Sequence, residues 1–89
     1  MEPSILMNLR RGRIVHMLAS LGPATAEDLA ITLAISPVTL TKEIGILSDA
    51  GIIRVIGSPS ADSRPLFTVD IPTIVAEIAQ ARQFFSPWL

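Results

Sequence analysis

Apolar residues recur along this chain first at helical spacing and then in the short runs of strands. Over residues 5–21, Leu6, Leu9, Ile14, Met17, Leu18 and Leu21 supply the apolar positions of a helix. Gly12 is its weak point, since glycine inside a helix costs about 1 kcal/mol relative to alanine, and it marks the place for a kink or a break. Gly22-Pro23 closes the segment, because glycine suits the residue after a helix and proline cannot continue one. Thr25 opens a second, short helix as its N-cap. Glu27 and Asp28 lie near the positive end of its dipole, with Asp28 in the capping-box place. Leu29 and Leu33 give it an inward face, to about residue 34. Ser36 then caps, and Pro37 begins, a third helix over 36–50, proline having no amide hydrogen to leave unbonded. Leu40, Ile44 and Leu47 form its apolar stripe. Val38, Thr39, Thr41, Lys42 and Gly45 form a second face, short-chained and lightly charged. Gly51 stops it as a left-handed residue past the helix end.

From there the pattern is that of strands. Ile52-Ile53-Arg54-Val55-Ile56 is short and β-branched, and Leu66-Phe67-Thr68-Val69 returns. Between them, residues 57–65 are polar and turn-rich, which predicts a two-stranded hairpin with a long exposed tip. Asp70 and Pro72 favour the start of a last helix over 71–85. Ile71, Ile74, Ile78, Ala81 and Phe85 follow helical spacing along it, Val75 widens the stripe, and Phe84, Phe85 and Trp88 crowd its end. The pattern predicts a mainly α fold with a small β-hairpin, α-α-α-β-β-α, as one domain over 1–89.

Composition changes this picture in two ways. Hydrophobic residues make up 49% of the 89 residues, high for a small monomer. A membrane span needs about 18 or more consecutive apolar residues, and no such run occurs, so the surplus points to apolar surface hidden between subunits. There is no cysteine, which removes disulfides and thiolate metal sites and is compatible with a reducing cytoplasm. The N-terminus lacks the pattern of a signal peptide. A cytoplasmic protein with no membrane role is the expectation.

The element order resembles the winged helix-turn-helix fold of small prokaryotic transcriptional regulators, from about residue 13 to residue 69. Three segments carry the likeness: Ala24-Thr25-Ala26-Glu27-Asp28-Leu29-Ala30, then Ile35-Ser36-Pro37-Val38-Thr39-Leu40-Thr41, then Ile44-Gly45-Ile46-Leu47-Ser48-Asp49-Ala50-Gly51-Ile52-Ile53. They are similar to the core of the ArsR-type and MarR-type families. There a T-x-x-E/D-L-A helix precedes an S-x-x-T recognition helix that ends in L-x-x-L-x-x-x-G-L/I-I/V. Asp62-Ser63-Arg64 is similar to the MarR-type D-x-R wing signature, in which the acid orients an arginine toward the minor groove. The resemblance implies a homodimeric regulator, a repressor in the simplest case, that binds double-stranded DNA sequence-specifically. Helix 36–50 would enter the major groove and wing 57–65 would meet the minor groove.

Particular residues are expected to carry this chemistry. Thr39, Thr41 and Lys42 can bond phosphates or base edges, and Pro37 and Val38 can touch a thymine methyl. Arg64 at the wing tip, with Asp62 nearby, is the strongest single candidate for a minor-groove or phosphate contact. Arg54 sits at the wing base. Arg10, Arg11 and Arg13 form the dense basic cluster of the chain, and either hold flanking phosphates or keep the first helix soluble. Glu43, next to Lys42, is expected to repel phosphate. Leu6, Leu9, Ile74, Ile78, Ala81, Phe85 and Trp88 would suit a two-fold interface pairing helices 5–21 and 71–85 of two subunits.

Other readings stay open. Seven Lys and Arg against eight Asp and Glu leave a net charge of −1, without the basic footprint of most nucleic-acid binders. A winged-helix protein-interaction module, with no DNA role, is therefore the alternative. An enzyme fragment is weaker: no Ser/His/Asp set, paired-carboxylate pocket or phosphate-binding glycine loop is present, and His16 is the one histidine. No catalytic residue, metal or cofactor is expected, and no effector is assigned.

Overall fold

The computed structural model describes Leu6, residues 8–57 and residues 64–85, the side chains of Phe84 and Phe85 excepted. The elements are α1 (Leu9–Leu21), α2 (Ala26–Leu33), α3 (Pro37–Asp49), β1 (Ile53–Ile56), β2 (Leu66–Val69) and α4 (Ile71–Phe85). This is the winged helix-turn-helix order the pattern predicted.

Capping side chains set several boundaries. Asn8 Oδ1 accepts from the Arg11 amide at 3.1 Å, so α1 begins at Leu9 rather than at residue 5. It runs through Gly12 without a break. Thr25 Oγ1 accepts from the Asp28 amide at 3.1 Å, and Ser36 Oγ from the Thr39 amide at 3.2 Å. Each satisfies a first-turn donor that the helix itself leaves unbonded.

Between α2 and α3 the chain turns through 116°, within the range of a helix-turn-helix. Ala34 makes that turn in the left-handed conformation, φ 54°, and the Ile35 amide reaches back to Ala30 O at 3.0 Å. Gly51, at φ 77°, ends the α3 segment with the left-handed geometry expected of it.

β1 and β2 pair antiparallel, with Ile53 opposite Val69 and Ile56 opposite Leu66. A feature not foreseen lies on the far side of β2. Ala24, in the α1–α2 connection, bridges Phe67 with both amides bonded, at 3.1 and 2.8 Å. The hairpin is thereby fastened to the helical body rather than hanging from α3 alone.

One core joins these elements: Ile14, Val15 and Leu18 from α1, Leu29 and Leu33 from α2, Leu40, Ile44 and Leu47 from α3, then Ile52 and Ile53. Phe67, Val69 and Ile74 pack against it. Leu9, expected at an interface between subunits, and Leu21, at the end of α1, are exposed. Leu9 falls away from the Ile14–Leu18 face that α2 and α3 cover, whereas Leu21 continues that face at the last residue of α1.

Candidate nucleic-acid interface

The outward side of α3 is built by its inward side. Leu40, Ile44 and Leu47 are buried, which turns Val38, Thr41, Lys42 and Gly45 to solvent at the i, i+3, i+4, i+7 spacing of one helical face. Pro37 is exposed at its leading end and Thr39 is half-buried at its edge. The hydroxyls are engaged locally. Thr41 Oγ1 donates to Pro37 O at 2.9 Å, and Ser36 Oγ donates to Thr39 Oγ1 at 2.9 Å.

Gly45 stands in the middle of this face. A Cβ placed there would have nothing within 4 Å among the described residues, so no packing among them requires the glycine. The helix nonetheless bears the loss of helical propensity it brings.

Glu43 corrects the sequence reading. It does not share the face of Lys42 but is 4% exposed, turned toward α1. Its Oε2 accepts from Arg11 Nε at 2.7 Å, and Arg10 Nη1 stands 4.0 Å from Oε1. The cause is helical geometry. Glu43 lies between Leu40 and Leu47 on the flank of the apolar stripe, where a carboxylate is retained only beside a cation. That spacing was a usable signal. Arg11 is accordingly a half-buried structural partner, its side chain 15% exposed, and Arg13 Nη2 donates to Leu33 O, the end of α2, at 3.2 Å. The basic cluster of α1 fastens helices to one another, and its exposed members are solvated only in part.

The hairpin cations are exposed and paired. Arg54 Nε lies 3.3 Å from Asp70 Oδ1. The Asp70 carboxylate also accepts from the Thr73 hydroxyl and amide, capping α4. The Thr73 hydroxyl holds the Asp70 pKa below its ordinary value. Burial pulls the other way, while the Thr73 amide and the Arg54 charge add to the lowering. Arg64, two residues before β2, pairs with Glu27 in the first turn of α2, a partner the sequence reading did not name. Arg64 therefore sits at the seam between hairpin and α2. Asp62, its expected companion, lies outside the described residues, as do Trp88 and the Phe85 side chain.

Two apolar grooves flank this body. One, about 300 Å³, lies between α2 and α3 and is lined by Ala26, Ala30, Ile31, Pro37 and Leu40. The other, about 350 Å³, lies between α1 and α4 and is lined by Leu6, Val15, His16, Ile74, Ile78 and Ala81. Val75 and Ile78 are more than half exposed beside the second, and Leu9 lies on the neighbouring surface of α1. Among the described residues no three His, Cys, Asp or Glu stand together as a metal site. No single helix there is long and apolar enough to cross a membrane.

The helix-turn-helix domain family profile matches residues 10–56, from α1 to the end of β1. No curated protein matches the chain in sequence. Solved structures match it in fold. The transcriptional regulator YodB from B. subtilis, in its reduced form, is 20% identical with a TM-score of 0.71, over 92% of this chain and 81% of that one. RV1404 from Mycobacterium tuberculosis is 19% identical with a TM-score of 0.70, over 93% of this chain. A MarR family regulator from Neisseria meningitidis is 17% identical with a TM-score of 0.66, over 89% of this chain. The chain spans 61% and 57% of the lengths of the last two.

Proposed function

The chain belongs to the helix-turn-helix domain family, and from that premise we propose that it binds double-stranded DNA sequence-specifically as a homodimeric transcriptional regulator. α3 enters the major groove through Pro37, Val38, Thr39, Thr41 and Lys42. The hairpin, with Arg54 and Arg64, meets the flanking backbone and minor groove. Repression by occupying the site is the simplest output, in the cytoplasm, with no catalytic role.

One observation carries this reading: the inward turn of Glu43. The objection from an acid beside Lys42 falls away once that acid is buried against Arg11. The first two turns of α3 then present a lysine and no carboxylate to the outside. Selection of binding sites from random duplexes tests it. A recovered motif bound more weakly by Lys42→Ala supports the assignment, and absence of duplex binding at low salt, where phosphate contacts are strongest, removes it.

The dimer is part of the proposal. What supports it is apolar surface on α1 and α4 that the subunit leaves uncovered: Leu9, Val75 and Ile78 are all exposed, around the groove of Leu6, Ile74, Ile78 and Ala81. The whole of 1–89 is then one domain whose first and last helices pair across a two-fold axis. Two copies of α3 would stand about 34 Å apart, one DNA turn. A clean monomer in sedimentation at micromolar concentration would refute it.

A second reading is favoured by one feature. Ile31 and Val38 are both more than two-thirds exposed beside the α2–α3 groove, as a protein-docking surface would have them. It predicts no dependence of any function on duplex DNA.

A further inference from the structure

The leading half of α3 is unusually poor in hydrogen-bond donors for a helix that reads bases. Val38 is 83% exposed, more than any other large apolar residue described. Thr41 Oγ1 spends its hydrogen on Pro37 O at 2.9 Å, so it offers the outside an acceptor and a methyl group. Pro37 and Gly45 bring no side-chain donor. Over these turns the outward stripe keeps the ammonium of Lys42 and the acceptor oxygen of Thr41, with the half-buried Thr39 hydroxyl at its edge, and otherwise presents apolar groups.

On such a face Lys42 alone can make a paired hydrogen bond, to guanine O6 and N7, and no Arg, Asn or Gln is present to read the other bases that way. The face can detect the C5 methyl of thymine, the one apolar group that a base displays in the major groove. Reach is the difficulty, because valine is short. Gly45 meets it. Its missing side chain, for which nothing among the described residues gives a reason, lets the backbone of α3 lie close to the groove floor. Val38, two turns earlier on the same face, comes down with it.

Resting on the DNA-binding reading above, we propose that Val38 is a specificity-determining residue, selecting T·A pairs by burying its methyl groups against the thymine C5 methyl. Lys42 supplies attraction to phosphate or guanine beside it. Preferred half-sites therefore favour a thymine under the start of α3.

The test uses the duplex recovered by site selection and the full chain, with binding read by fluorescence anisotropy. Thymines are replaced one at a time by deoxyuridine, which removes only the methyl. One position per half-site should weaken binding about fourfold, the weight of one buried methylene-sized group. Val38→Ala, at an exposed site that leaves folding intact, should weaken binding to the thymine duplex by a similar factor and make that same position silent. Uracil duplexes that all bind as the thymine duplex does would overturn the proposal while leaving DNA binding in place. So would losses from uracil and Val38→Ala that simply multiply. Failure to bind any duplex would overturn this proposal together with the DNA-binding reading, and is distinguished by its independence of the base substituted.

Discussion

Glu43 Oε2 accepts from Arg11 Nε at 2.7 Å, and this bond joins the first helix to the third across 32 residues of chain. Both partners are shielded from water, Glu43 at 5% and Arg11 at 15% side-chain exposure, so the pair is screened far less than a surface ion pair. It ties α3 to α1 in the rotation that the buried Leu40, Ile44 and Leu47 set, the one that leaves Lys42 outward.

Removing the carboxylate should therefore cost stability. Glu43→Ala is expected to lower the unfolding free energy by about 1.5–3 kcal/mol, the range for a hydrogen bond to a charged group. Glu43→Gln, which keeps an acceptor oxygen, should lose less. Urea midpoints measure both, and unchanged midpoints would show that the pair holds nothing.

Gly45 should behave in the opposite sense. Alanine there meets no atom of the described residues within 4 Å and improves helical propensity, so Gly45→Ala is expected to stabilise the fold by up to about 1 kcal/mol. The same methyl group stands between α3 and the groove, so duplex affinity should fall. A variant that is more stable and binds as well as the parent would remove the reason offered for the glycine.

Arg64 is held by Glu27 in the free chain, and a phosphate must compete for it. Both side chains are more than half exposed, so the pair is weak, about 0–1 kcal/mol. Glu27→Gln is then expected to tighten duplex binding by up to about fivefold. Arg64→Ala should weaken it and reduce the slope of log affinity against log salt by about one. Anisotropy titrations across a salt series give both quantities.

Acid sensitivity is expected at the hairpin–α4 junction. The folded state lowers the Asp70 pKa through Thr73 and Arg54, so the ionised group binds protons less readily than in the unfolded chain. Its stabilisation is complete above the ordinary carboxylate value of about 3.9 and is lost as pH falls through the lowered one. Asp70→Asn should thus be less stable than the parent at pH 7, with the gap closing below about pH 4. Thermal melts from pH 2 to 7 follow it, and a gap independent of pH would refute the assignment.

Local signals were the legible ones. Thr25, Ser36 and Asp70 announced their helices because a cap bonds an amide three residues ahead, and the Leu40–Ile44–Leu47 stripe fixed the inward side of α3. Long-range partners were not legible. Glu43 finds Arg11 and Arg64 finds Glu27 across the fold, and the Ala24–Phe67 bridge joins segments that no periodicity connects. Ala34 escaped notice because nothing in an alanine advertises a left-handed turn. The elements that carry the candidate interface were therefore legible, while the company kept by its charged residues had to come from the fold.

The central claim is that the outward face of α3 and the Arg64 seam meet duplex DNA. Amide chemical-shift mapping during titration with the selected duplex tests it most directly. The largest changes are expected at Val38, Thr41, Lys42, Gly45 and Arg64, with α4 unmoved. Changes confined to the groove between α1 and α4, or none at all, would contradict it.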